Sequence, residues 1–282
     1  MTIDYERVLT LDIPAVEYAY TSKDVMLYAL GLGIGGNPLD EGELRYVYEK
    51  DLAVFPTMPV IHAFASLRDM DLGIDYTQIV HGEQVLTLHA PLPVSATVIG
   101  KTRVVDIVDR GEKGAMLYLD RDVVDKPTGR ALATVGMGVI CRADGGFGGP
   151  VTELRVSHPV PGHEADFSVD LPTWPQQALI YRLSGDLNPL HADPAAARRA
   201  GFERPILHGL ATFGVVARGL VARLLNNDGS RLKSLRGRFS SPVFPGDTLR
   251  VEIWCEPEGV TMRARALERD KVVFNNGYAT LA

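Results

Sequence analysis

In the run YRLSGDLNPLHADP, residues 181–194, an Asp, an Asn and a His fall within six positions on a stretch stiffened by prolines. Pro189 suits the first position of a helical turn, because the N–H it lacks has no intrahelical partner there and its ring presets the dihedral. Asp186 then lies just before the turn and His191 within it. A carboxylate and an imidazole held this way can both reach one water, with Asn188 able to donate and accept hydrogen bonds that orient either. The spacing therefore points to general acid–base work on water. The competing reading is purely structural: Asp186 caps a helix and His191 is a satisfied, half-buried histidine.

A second feature lies downstream in PILHGLATF, which places Gly209 at the start of an apolar helix whose first backbone N–H groups lack intrahelical partners. An amide there can hold a developing oxyanion with help from the helix dipole, and the missing side chain lets a carbonyl come close. The alternative is a glycine chosen only for packing.

Other patterns carry less. GLGIGG, residues 31–36, has dinucleotide-loop spacing, but Asn37-Pro38 and charged residues follow at once and no βαβ alternation develops. His191, Asp193 and His208 lack a recognised metal-ligand frame, and His208 has a counterpart in His62, which favours a structural role. No G-x-S-x-G elbow surrounds Ser184, so a Ser184–His191–Asp186 relay is disfavoured. Ser184 is expected to hydrogen-bond Asp186 or the local backbone.

The elements that must position these groups follow from the rest of the chain. With 282 residues, 46% of them hydrophobic, it can bury one large core or two ordinary ones. A net charge of −6 without a clustered basic tract disfavours nucleic acid or an anionic membrane as the main partner. Cys141 and Cys255 fit two packed, reduced thiols. The acidic N-terminal run and the absence of a long apolar span lead to the expectation of a cytoplasmic protein.

Glycine and proline interrupt residues 142–175, which read as a linker between a first unit, 1–141, and a second, 176–282. Each unit ends in three β-branched runs separated by turns, the pattern of an antiparallel meander. PVIHAF (59–64) matches PILHGL (205–210), and GLATFGVVARGLVARLL (209–225) is apolar nearly all round, which predicts a buried helix. Laying residues 21–29 on 183–191 pairs Asp24 with Asp186, Met26 with Asn188 and Ala29 with His191. On that alignment the chain is a duplication in which only the second copy keeps the polar set.

YRLSGDLNPLHADPAAARRAGF followed by PILHGLATFG closely resembles the hydratase 2 motif of the MaoC-like, R-specific 2-enoyl-CoA hydratases. RFSSPVFPGDTL resembles that family's strand after the central helix, and HGEQVLTLHAPLP and GGFGG resemble the N-terminal half of its two-repeat members. The resemblance implies an α+β double hot-dog fold, two antiparallel sheets each wrapped around a long central helix. It also implies one active site, in the second unit, with the degenerate first unit shaping the acyl pocket. Carried over by position, it makes Asp186 and His191 a catalytic dyad, Asn188 a positioning residue and Gly209 the backbone donor to a thioester oxygen. The implied reaction is hydration of a trans-2-enoyl-CoA to the (3R)-hydroxyacyl-CoA, or its reverse, in a homodimer that uses no metal or redox cofactor. Ser184 is expected at the substrate. Arg236 and Arg238, just before the strand expected near the site, are candidates for the CoA phosphates. The length of the first copy, residues 36–59 included, suggests room for a bulky acyl tail. A non-catalytic acyl-CoA-binding protein, or a dehydratase or thioesterase acting on another acyl thioester, are the alternatives.

Overall fold

The computed structural model describes residues 3–152, 155 and 158–282. Its strands are β1 (Val16–Tyr20), β2 (Ile79–Leu88), β3 (Ala96–Asp109), β4 (Ala115–Asp125), β5 (Ala131–Cys141), β6 (Phe167–Pro172), β7 (Leu232–Phe239), β8 (Thr248–Glu256), β9 (Gly259–Ala266) and β10 (Lys271–Leu281). The helices are α1 (Tyr5–Leu9), α2 (Ser22–Gly31), α3 (Glu41–Leu44), α4 (Gln177–Tyr181), α5 (Pro194–Arg199) and α6 (Gly209–Leu224). The strands form one continuous ten-stranded sheet in the order β1-β3-β4-β5-β2-β7-β10-β9-β8-β6. Counted within its own half, each set of five runs first, third, fourth, fifth, second. The halves meet where β2 pairs antiparallel with β7, Glu83 opposite Arg238 and Leu86 opposite Leu235. The order of elements thus supports the duplication read from the sequence, and the double hot-dog, α+β organisation stands.

The apolar run 209–225 forms α6 as expected, buried along most of its length because Phe213, Val216 and Leu220 pack against Leu235, Val251 and Phe274 of the sheet. At Gly214 a Cβ would lie 2.4 Å from the end of the Leu32 side chain, which would have to shift, so the end of α2 seats directly on α6.

The first half departs from expectation, because no long helix follows PVIHAF. Ala63, which aligns with Gly209, sits at φ 50°, a left-handed conformation that ends the preceding turn. Residues 63–78 then give only a 3₁₀ turn at Leu67–Asp69. Asp69, Asp71, Gly73 and Asp75 in this segment are poor helix-interior residues. Val8 of α1 and Leu67, Met70 and Leu72 of the loop cover Ile107, Leu117 and Val139 instead.

The segment read as a linker also contains an element. β6 pairs with β8, so the second half begins by Phe167, before residue 176. Its short Phe-Ser-Val-Asp-Leu-Pro alternation lies at the sheet edge, where a proline costs no ladder bond. Cys141 is buried, whereas Cys255 is exposed rather than packed; both are free thiols. The early part of segment 36–59 lies away from the dyad, around Glu43 and Tyr46. It clasps the C-terminal end of α6: Glu43 pairs with Arg218 at 2.6 Å, and the Tyr46 hydroxyl donates to the Asn227 carbonyl at 2.6 Å. Gly209 lies about 14 Å along the helix axis from Arg218 at the usual rise.

Candidate active site

The run that follows α4 is organised by short-range hydrogen bonds. Gly185 sits at φ 125°, which turns the chain out of the 3₁₀ turn Arg182–Ser184. Asp186 Oδ1 accepts the Asn188 N–H at 3.1 Å, and Asn188 Oδ1 accepts the Leu190 N–H at 3.1 Å, capping the turn Pro189–His191. Asn188 is exposed, and its carbonyl oxygen is used for this cap. Its side chain thus orders the loop itself.

His191 is 7% exposed, and its Nδ1 lies 2.8 Å from the Ile206 carbonyl. A carbonyl only accepts, so Nδ1 carries the proton and Nε2 presents a lone pair. Its ring stacks on His208 at 3.7 Å between centroids, and His208 Nε2–H donates to the Asp186 carbonyl at 3.1 Å. His208 thus contacts both His191 and Asp186. Burial lowers the pKa of His191, and Arg182 pulls it the same way, against the Ile206 bond and Asp186, which raise it. Burial, then His191, takes His208 down to about 3. Side-chain atoms of Asp186, His191 and His208 lie within 4.8 Å of one another. Asp193 does not join them; it caps α5 by accepting the Ala195 N–H.

Gly209 opens α6 immediately after His208. A Cβ built on it would lie 3.5 Å from the Phe239 ring, an ordinary contact. Phe239 in turn meets His81 of β2 edge-on at 5.0 Å between centroids. The wall beside the helix start therefore draws on both halves. His81 and Phe239 were not singled out from the sequence: neither has a chemical spacing signal, and only the β2–β7 pairing brings them together. Leu210, next to Gly209, and, from the first half, Val60, Phe64, Val135 and Met137 line a cleft.

The other expected site residues lie elsewhere or are bonded differently. Ser184 is buried, but its Oγ has no hydrogen-bond partner among the described residues, so it does not bond Asp186. Arg236 and Arg238 are not brought to the dyad. Leu235 and Gly237 alternate with them on β7, and a Cβ on Gly237 would strike the Phe274 ring, which packs on Phe213 of α6. The two arginines consequently occupy the opposite face, Arg236 over the Tyr278 ring and Arg238 3.4 Å from Glu83.

The pairing of Asp24 with Asp186 is also corrected. β1 leads into α2 as β6 leads into α4, and the Tyr28 and Tyr181 rings meet at 5.8 Å. The counterpart of the turn carrying Asp186 and His191 is therefore the glycine-rich run after Tyr28, which holds no Asp or His. Asp24 caps α2, accepting from the Thr21 N–H at 2.8 Å. Asp24→Asn is expected to leave turnover within a few-fold; a loss as deep as that of a dyad variant would show that the first half takes part in the chemistry.

His62 precedes Ala63 as His208 precedes Gly209, and burial takes it down to about 3 as well. An unfolded histidine gains its proton below about pH 6.5, whereas these two stay neutral while folded. Their contribution to stability is complete above that pH and is lost as pH falls toward 3, by about 1.4 kcal/mol per pH unit for each. The melting temperature should fall steadily from pH 6.5 to pH 4, less steeply in His62→Phe. Equal slopes in the two proteins would refute this source.

Comparison with known proteins completes the description. Residues 18–143 match the family model MFE-2 hydratase 2 N-terminal domain, and residues 156–276 match the MaoC like domain. The chain is 36% identical to the enoyl-CoA hydratase ChsH3 of Mycobacterium tuberculosis over 98% of both chains. It is 38% identical to 3-hydroxyacyl-thioester dehydratase Y of the same organism, over 98% of this chain and 94% of that one. A MaoC-like dehydratase from Phytophthora capsici superposes with a TM-score of 0.88 at 32% identity over 98% of both chains. A Mycobacterium tuberculosis protein with a double hotdog fold, 17% identical over 99% of this chain and 98% of that one, has a TM-score of 0.57 and supports the fold alone.

Proposed function

Since the chain belongs to the MaoC-like dehydratase family, with the hydratase 2 domain in its first half, we propose that it is an enoyl-CoA hydratase. It adds water across the C2–C3 double bond of a trans-2-enoyl-CoA to give the (3R)-hydroxyacyl-CoA, or runs in reverse. The observation that carries this reading is an imidazole whose Nε2 holds a lone pair, a carboxylate beside it and a helix-start amide without a partner among the described residues, all on adjoining turns. The thioester oxygen accepts from the Gly209 N–H, and the dipole of the 16-residue α6 favours the negative charge that grows there. Water oxygen bonds to C3 as the dyad takes one of its protons, and C2 receives a proton from the same pair. Asp186 and His191 act on one water as a coupled unit, so the two transfers belong to the pair.

The cleft that starts at Leu210 is the route we assign to the acyl tail. It exists because the first half lacks the long helix that fills the second. We extend the proposal to a cytoplasmic homodimer; sedimentation should give twice the 30.7 kDa of the chain. Among the described residues no helix is long and apolar enough to cross a membrane.

The deciding experiment is incubation with crotonyl-CoA, following loss of the conjugated thioester absorbance together with a free-thiol assay and chiral analysis of the product. Loss of absorbance without thiol, giving the 3R product, is expected. Thiol release would indicate a thioesterase, and binding without either change a non-catalytic acyl-CoA protein.

A further inference from the structure

The cleft assigned to the acyl tail is apolar along Val60, Leu119, Val135 and Met137, but part of its lining is polar: Gln84, Asp120, whose carboxylate is already paired with Arg155 at 2.9 Å, Thr102 and Arg121. Thr102 and Arg121 face each other across β3 and β4 as register partners, and both line the cleft. Arg121 is only 5% exposed. One terminal nitrogen donates to the Pro59 and Val60 carbonyls at 3.3 and 2.8 Å, and the Phe64 ring lies 5.4 Å from its guanidinium carbon. Its Nε and the Thr102 Oγ1 are buried without a hydrogen-bond partner among the described residues. Burial alone lowers the Arg121 pKa, to about 10, with no acidic neighbour raising it.

A guanidinium removed from water without an anion is strongly unfavourable, and an unsatisfied buried donor adds to that cost. A plain alkyl tail seated here would leave both in place. A carboxylate would pair with the guanidinium by charge-assisted hydrogen bonds and accept from the Thr102 hydroxyl. We infer that Arg121 and Thr102 form a tail-recognition subsite, and that the enoyl group this protein hydrates ends in a carboxylate remote from the thioester. This rests on the hydratase reading above and names its substrate class.

The test uses trans-2-enoyl-CoAs of matched length ending in methyl or carboxylate, over a length series, with the wild type, Arg121→Met and Thr102→Val. The quantity read is the ratio of kcat/KM for the carboxylate over the methyl substrate, which does not depend on the folded fraction. The wild type should favour the carboxylate by roughly 10- to 100-fold at the best length, the range for a hydrogen bond to a charged group. Arg121→Met should bring the ratio near one, and Thr102→Val should lower it part of the way. Calorimetric binding of the matching saturated acyl-CoAs should follow the same order. Hydration without a carboxylate preference, or a ratio unmoved in both variants, would overturn the subsite and assign its polar atoms to a buried water. Absence of any hydration, with the binding order intact, would overturn the hydratase reading and leave the subsite standing.

Discussion

Asp186→Asn and His191→Ala are each expected to lower enoyl-CoA turnover by at least ~10²-fold, the lower end for loss of a positioned acid or base. The asparagine keeps an oxygen able to accept the Asn188 N–H, so the loop geometry is retained while the charge beside the water is lost. The histidine variant removes the Nε2 lone pair assigned to that water, together with a bond to Ile206 and the stack on His208. Its stability should therefore fall more than that of the aspartate variant. Because burial lowers the His191 pKa, protonation of Nε2 should turn off kcat/KM only below pH 6.5, and the acid limb of the wild-type profile should lie there. Circular dichroism alongside steady-state kinetics checks both parts. A folded Asp186→Asn enzyme with near-normal turnover would remove the dyad assignment, as would an acid limb above pH 7.

Gly209→Val should reduce catalysis by about 10²- to 10³-fold, the loss typical of an oxyanion donor. The donor is a main-chain amide and cannot be deleted, but it can be crowded. The first added carbon would make only van der Waals contact with Phe239, so the fold accepts it. Branching methyl groups would then occupy the space through which a thioester oxygen approaches the amide. Valine is no poorer a helix former than the glycine it replaces, so thermal stability should change little. The paired control is His208→Gln, whose amide can still donate to the Asp186 carbonyl. It should keep activity within about tenfold. A folded, active Gly209→Val would refute the oxyanion role, and a folded His208→Gln as inactive as a dyad variant would make His208 more than a brace.

What the sequence by itself determined is local. The buried helix α6, the six meander strands and the turn carrying Asp186, Asn188 and His191 follow from apolar periodicity, β-branched runs and proline placement, all of which act over a few residues. The spacing of the hydratase 2 motif singles out the proposed reacting groups for the same reason, since they sit on one turn and the adjoining helix start. Tertiary structure decided what depends on contacts far apart in the chain. The first half has no long helix because Ala63 takes a left-handed conformation and α1 and the 67–74 loop supply the cover that a helix would have given. Strand alternation, fixed only once β7 is packed on α6, turns Arg236 and Arg238 away from the dyad. The pairing of β2 with β7 brings His81 to Phe239, and the pairing of β3 with β4 sets Thr102 beside Arg121. Neither juxtaposition leaves a trace in residue spacing, because strand register is settled by which faces are buried across the whole sheet.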